Sequence, residues 1–182
     1  MDRAATPDEV IAFWREAGPD RWFSRDDAFD TLCRERFLPT YERAAAGDLS
    51  EWELSAEGAL ALLILLDQMP RNMFRGDRRT WATDAPALLV AERAIDKGFD
   101  RKVPPAMRRF FYLPFMHSED LSAQERSITL NDAIGDPEIS KFARHHHDIV
   151  ARFGRFPHRN DVLGRQTTPD EEAFLRQDAF RG

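Results

Sequence analysis

Two short segments hold most of the side chains that could do chemistry. Asp67-Gln68-Met69-Pro70-Arg71-Asn72-Met73-Phe74-Arg75-Gly76 and Phe153-Gly154-Arg155-Phe156-Pro157-His158-Arg159-Asn160-Asp161-Val162-Leu163-Gly164-Arg165 each carry a Pro, an Arg–Asn pair close behind it, and a further Arg beside a Gly. Guanidinium groups set among Met, Phe, Leu and Val do not point freely into water, and two chemistries suit them: a two-toothed clamp on a carboxylate, or capture of an anion. Asp67 follows the apolar run Ala59–Leu66, so its carboxylate is expected to be desolvated and to need a partner. Arg71, Arg75, Arg155, Arg159 and Arg165 offer one. Set against the nearby acids Asp67, Asp84, Glu119 and Asp148, these arginines leave about one positive charge over, to which His117, His146 and His158 can add. A matched set is a structural latch. A surplus is a pocket for phosphate, sulfate or a substrate carboxylate, and the sequence leaves both readings open.

The histidines sharpen the second reading. Projected at 3.6 residues per turn, Ile139, Phe142, Ala143, His146, Ile149, Val150 and Phe153 share one helical stripe, so His146 faces the core while His145 and His147 diverge to either side. Three consecutive histidines on a helix cannot share one ion; an i, i+4 pair is needed, and no Asp, Glu or His stands four residues from His146. No metal and no cofactor are predicted. His146 reads as a core histidine bonded to a carboxylate or carbonyl. Pro114 ends the helix before His117-Ser118-Glu119 and puts these three on a connection, where they either aim at a ligand or cap the next helix. No Gly-x-Ser-x-Gly elbow accompanies them.

The elements that must position these residues are helices. Thr6-Pro7-Asp8-Glu9 and Thr168-Pro169-Asp170-Glu171 are capping boxes with Pro at the first helical position, and Asp136-Pro137-Glu138 starts a third helix in the same way. Helical patterns also cover 25–37, 40–46, 55–69, 84–97, 105–112 and 122–133, while no alternating Val, Ile or Thr run competes. The expected fold is all-α, with eight or nine helices in one domain spanning 1–182. Phe13, Trp14, Trp22, Phe23, Phe37, Trp52 and Trp81 are expected to fill the core, and Cys33, the one cysteine, to be a small apolar filler. Its solitude rules out an internal disulfide. A net charge of −6 disfavours a nucleic-acid partner. No run approaches the ~20 apolar residues of a membrane span, and Met1–Pro7 lacks a signal pattern, so a cytoplasmic location is expected.

Leu66–Gly76, Asp84, Pro114-Phe115-Met116-His117-Ser118-Glu119-Asp120-Leu121 with Gln124, His146, and Phe153–Asn160 through Leu163-Gly164-Arg165, together with Phe13-Trp14, Trp22-Phe23 and Trp52, resemble the bacterial family catalogued as domain of unknown function 924. The resemblance spans nearly the whole chain. It implies a tetratricopeptide-like array of antiparallel helical hairpins and carries no established activity. Three functions follow as expectations. One is a scaffold that binds a peptide, a protein or an anionic small molecule through Asp67, Arg71, Asn72, Arg75, His117, Glu119, His146, Arg155, His158, Arg159, Asn160 and Arg165. Another is a metal-independent hydrolase or transferase with a histidine as acid/base and arginines against developing negative charge. The last is a purely structural polar centre.

Overall fold

Thr6 sets the start of the first helix, α1 (Pro7–Ala17). Its hydroxyl accepts the Glu9 N–H at 3.3 Å and the Glu9 carboxylate accepts the Thr6 N–H at 2.7 Å, so two donors without intrahelical partners satisfy each other's residue. The computed structural model describes residues 4–177, and no strand occurs among them. It divides into two compact units, Met1–Pro114 and Phe115–Gly182.

In the first unit, α1 buries Val10, Phe13 and Trp14 and is followed by the single turn α2 (Pro19–Trp22). Asp26 caps α3 (Asp27–Ala45) by accepting from the Ala28 and Phe29 N–H groups. Where the sequence predicts two helices, α3 is one, with Pro39 inside it. The missing N–H leaves only the carbonyl of Glu35, an exposed residue, without its helical partner, and water can supply the bond. Phe29, Cys33, Phe37 and Tyr41 recur along the buried face of α3. Cys33 is fully buried, and burial pushes its thiol up to about 12, which makes it the predicted inert filler. Among the aromatics predicted for the core, Phe23 is 54% exposed, covered by the Arg109 guanidinium 4.5 Å from its ring; Trp52 and Trp81 are half-buried.

Ser55 starts α4 (Ala56–Leu63) by accepting the Gly58 N–H. The sequence predicts that this helix stops just before Pro70. Instead it widens into a π-helical segment, Ile64–Gln68, and continues as α5 (Met69–Met73). The Met69 N–H reaches back five residues to the Ile64 carbonyl, the register of a π turn. Pro70 has no N–H to offer Leu66, and the Thr83 hydroxyl donates to that carbonyl at 2.5 Å instead. Arg71 Nη1 donates to the Asp67 carbonyl at 2.5 Å. Side chains thus take up the carbonyls that Pro70 and the wider turn loosen, as burial demands. The remaining helices of this unit are α6 (Asp84–Asp96), α7 (Pro105–Arg108) and α8 (Leu113–His117), the last containing the unit boundary. Every residue from Gly58 to Pro70 is buried, because α1 and α6 both pack on α4 and α3 packs on the π segment and α5.

Gly58 is where α4 crosses the 3₁₀ turn Ser50–Leu54: a Cβ there would meet the Trp52 carbonyl oxygen at 2.1 Å. Gly58→Ala is expected to destabilise the protein by about 1–3 kcal/mol through overpacking, although alanine is the better helix former by about 1 kcal/mol. Urea unfolding measures it, and unchanged or raised stability would refute the close approach.

In the second unit, Asp120 caps α9 (Leu121–Asp132) by accepting the Ala123 N–H at 2.9 Å. Ser118 and Glu119, the predicted caps, do other work. The Ser118 hydroxyl accepts the Asp120 N–H at 3.1 Å, and the Glu119 carboxylate turns toward Phe156 and Arg165. Asp136 starts α10 (Pro137–Phe153) as predicted, accepting from Glu138 and Ile139, and Gly154 at φ 69° ends it. The two helices pack along each other, tied by an Arg144–Asp132 ion pair at 2.7 Å. After α11 (Asn160–Leu163), the second capping box starts α12 (Pro169–Gln177), with Thr168 N–H on Glu171 at 2.8 Å and Glu171 N–H on the Thr168 hydroxyl at 3.3 Å. Ile149, Val150 and Phe156 make a core on which Phe153 and Phe174 pack. The all-α expectation holds for the described residues; the single turns α2, α5, α7, α8 and α11 raise the number of helical segments above eight or nine. No described helix is long and apolar enough to cross a membrane.

Candidate functional site

Hydrogen bonds divide the twelve predicted site residues between the two units. In the first unit, Arg71 clamps Asp84 with two bonds, at 2.9 and 3.1 Å, and its Nη1 lies 3.7 Å from the Asp67 carboxylate. Asp67 is fully buried and also accepts from Gln68 Nε2 at 2.6 Å. Asp30, on α3, accepts from Asn72 at 2.8 Å and from Arg75 at 2.8 and 3.1 Å. Arg34, also on α3, donates through Nε and Nη2 to the Met73 carbonyl at the end of α5. These bonds lash α3 to α5, and α5 to the start of α6.

In the second unit, Glu119 accepts from Arg165 at 2.8 and 3.0 Å and from the Phe156 N–H at 2.8 Å. Burial works to raise its pKa, but these donors, with Arg159 nearby, hold it below the usual carboxylate range. Arg165 also donates to Asn160 Oδ1 at 2.9 Å and to the Phe156 carbonyl at 3.0 Å. Asn160 continues the chain to Glu171 at 3.2 Å, and Arg155 clamps Glu171 at 2.6 and 2.9 Å. The Arg155 bonds, helped by the Thr168 N–H and Asn160, depress the Glu171 carboxyl to about 2.

Two acids of these networks, Asp30 and Glu171, escape the sequence reading as clamp partners. Asp30 sits in an apolar stripe beside Phe29 and Cys33, where a charge is expected only with a partner, and that was the available signal. Glu171 reads from sequence as a capping residue, a role it fills while also holding Arg155. Asp148, predicted to match an arginine, pairs with His147 at 3.1 Å instead.

A different arrangement surrounds Phe156, whose ring is fully buried. The Arg159 guanidinium lies 4.6 Å from its centroid, and the His146 and His158 rings each lie 5.7 Å away. His117 is 6.4 Å from His146, and its carbonyl accepts from Arg159 Nη2 at 3.0 Å. His146 is buried, as its helical stripe predicts, with Nδ1 bonded at 2.8 Å to the Phe142 carbonyl. Burial drops its pKa to about 3; the Phe142 carbonyl opposes this, while His117, His145 and Arg159 add to it. Its imidazole is therefore neutral at pH 7. Among the described residues, no three His, Cys, Asp or Glu side chains gather as a metal site.

The sequence model of a bacterial protein family of unknown function, DUF924, matches residues 10–179. The chain belongs to that family. A solved structure, a protein of unknown function from Agrobacterium tumefaciens, is 46% identical, with a TM-score of 0.91, and the match covers 94% of this chain and 97% of that one. No curated protein matches. The DUF924 motif residues identified in the sequence supply the Phe156 cluster and, apart from Asp30, Arg34 and Glu171, both clamp networks.

Proposed function

We propose that this DUF924 chain is a helical-hairpin binding module whose second unit captures an anionic small molecule, a phosphate or a carboxylate, at the cluster of His117, His146, His158 and Arg159. One observation carries the reading: the His146 and His158 imidazoles and the Arg159 guanidinium are gathered around a single buried phenyl ring, Phe156, with the His117 ring 6.4 Å from that of His146. Arg71, Arg75, Arg155 and Arg165 make two-toothed carboxylate clamps, which supports a scaffold role for them. Arg159 stands against the Phe156 ring with Nη2 on the His117 carbonyl, and its planar guanidinium is of the kind that suits phosphate and carboxylate oxygens. A hydrolase or transferase that uses His146 as acid or base is disfavoured, since a group titrating at about 3 is a poor proton carrier near neutrality.

Thermal unfolding in the presence of inorganic phosphate, sulfate and a short dicarboxylate tests the proposal. At a ligand concentration one hundred times Kd, the folded state should gain about 2.7 kcal/mol. The gain should rise with the logarithm of the anion concentration above Kd and disappear in Arg159→Gln. An unchanged melting temperature with all three anions overturns the reading.

A further inference from the structure

We infer that Gln124 and Arg159 are positioning residues for His117, fixing the backbone that presents its imidazole to the anion; this rests on the proposed anion site. Helix α8 is a single turn ending at His117, and the carbonyls at a helix end have no intrahelical partners. Three consecutive ones are held here by side chains. Gln124 Nε2 donates to the Met116 carbonyl at 2.7 Å and to the Ser118 carbonyl at 2.6 Å, while Arg159 Nη2 donates to the His117 carbonyl between them at 3.0 Å. The following residues are tied as well, Glu119 by Arg165 and the Phe156 N–H, and Asp120 through its N–H on the Ser118 hydroxyl.

The amide of Gln124 is an expensive way to end a helix. Its side chain is fully buried. Both amide hydrogens go to carbonyls, and its own Oε1 is buried without a hydrogen-bond partner in the protein. A buried acceptor left unmade costs stability, whereas a helix end that only needed termination could give its carbonyls to water. What the arrangement provides is a fixed backbone at His117, itself half-buried beside the buried His146. Such rigid support of a contact residue lowers the ordering cost of binding. Only a side chain with two donors can bridge both carbonyls, so neither Glu nor an apolar residue can replace Gln124 in this role.

The test is Gln124→Met, which keeps the bulk and removes both donors and the orphaned acceptor. The His117 ring resonances should move relative to wild type. Amide exchange at residues 117–119 should accelerate at least tenfold, and inorganic phosphate should bind at least tenfold more weakly. Unchanged ring resonances and unchanged exchange overturn the inference. If wild type itself fails to bind phosphate, the anion reading falls, and the positioning role is still decided by the resonances and the exchange. Should the variant not fold, wild-type relaxation decides: the inference requires a backbone order parameter near 0.85 at His117, and a value below about 0.6 overturns it.

Discussion

Arg71→Ala is expected to destabilise the protein by about 3–5 kcal/mol, the cost of removing one member of a buried ion pair. Arg71 is the shared cation of two carboxylates, one fully buried and one nearly so, with side-chain exposures of 1% for Asp67 and 13% for Asp84. Its Nη1 also donates to the Asp67 carbonyl at 2.5 Å. The substitution therefore takes a donor from the π segment as well as charge compensation from both acids, and an alanine can supply neither. The unfavourable term comes chiefly from stranding the carboxylates. Pairing Arg71→Met with Asp67→Asn should accordingly recover part of the loss, because one buried charge is neutralised and the stem volume is kept. All four tryptophans lie in the first unit, so tryptophan fluorescence during urea unfolding reports the effect directly. A loss below about 1 kcal/mol would mean that the Arg71 clamp behaves as an exposed ion pair does.

The legibility of this fold from its sequence follows from how local each signal is. Thr6 with Glu9 and Thr168 with Glu171 satisfy donors three residues away, so their capping boxes can be read and are found as read. The stripe through His146 needs only helical periodicity, and Ala143, His146, Ile149 and Val150 on it are buried, whereas Phe142, which the same projection places there, is 59% exposed. Signals that depend on distant partners were not legible. Pro70 reads as a stop because its missing N–H is visible in sequence, while the Thr83 hydroxyl that takes up the Leu66 carbonyl is not. Pro39 misleads in the same way, the bond it removes falling on an exposed turn. The clamps show the limit most clearly. Arg75 was recognisable as a guanidinium in an apolar setting, but its partner Asp30 is 45 residues away and no local rule connects them. Gln124 stands in the family motif, and its role appears only when α9 is seen to hold the carbonyls at the end of α8.

Below pH 6.5, stability should fall with a slope set largely by His146, by about 2 kcal/mol between pH 7 and pH 5. Its folded pKa, about 3, lies below the ordinary value of 6.5. Acidification therefore protonates the imidazole of the unfolded chain while the folded one stays neutral, and the equilibrium is drawn toward unfolding. Stability contributed by the neutral, buried ring is complete above pH 6.5 and is lost as pH falls from there toward 3. Glu171 acts in a lower window: its carboxyl is depressed from 4.5 to about 2, so what it contributes is present above pH 4.5 and is lost between 4.5 and 2. The interval from 6.5 to 4.5 thus separates the two groups. His146→Leu should flatten the stability profile in that interval and leave the Glu171 contribution to the acid limb below 4.5 in place. The second unit has no tryptophan, so the profile is best followed by far-ultraviolet circular dichroism and by amide exchange along α10. A wild-type slope that survives His146→Leu would assign the transition to other histidines and remove the argument that burial holds this ring neutral. If the slope is lost, an anion bound beside His146 should raise the ring's pKa by favouring its protonated form. Phosphate would then shift the wild-type transition to lower pH and leave that of His146→Leu where it was.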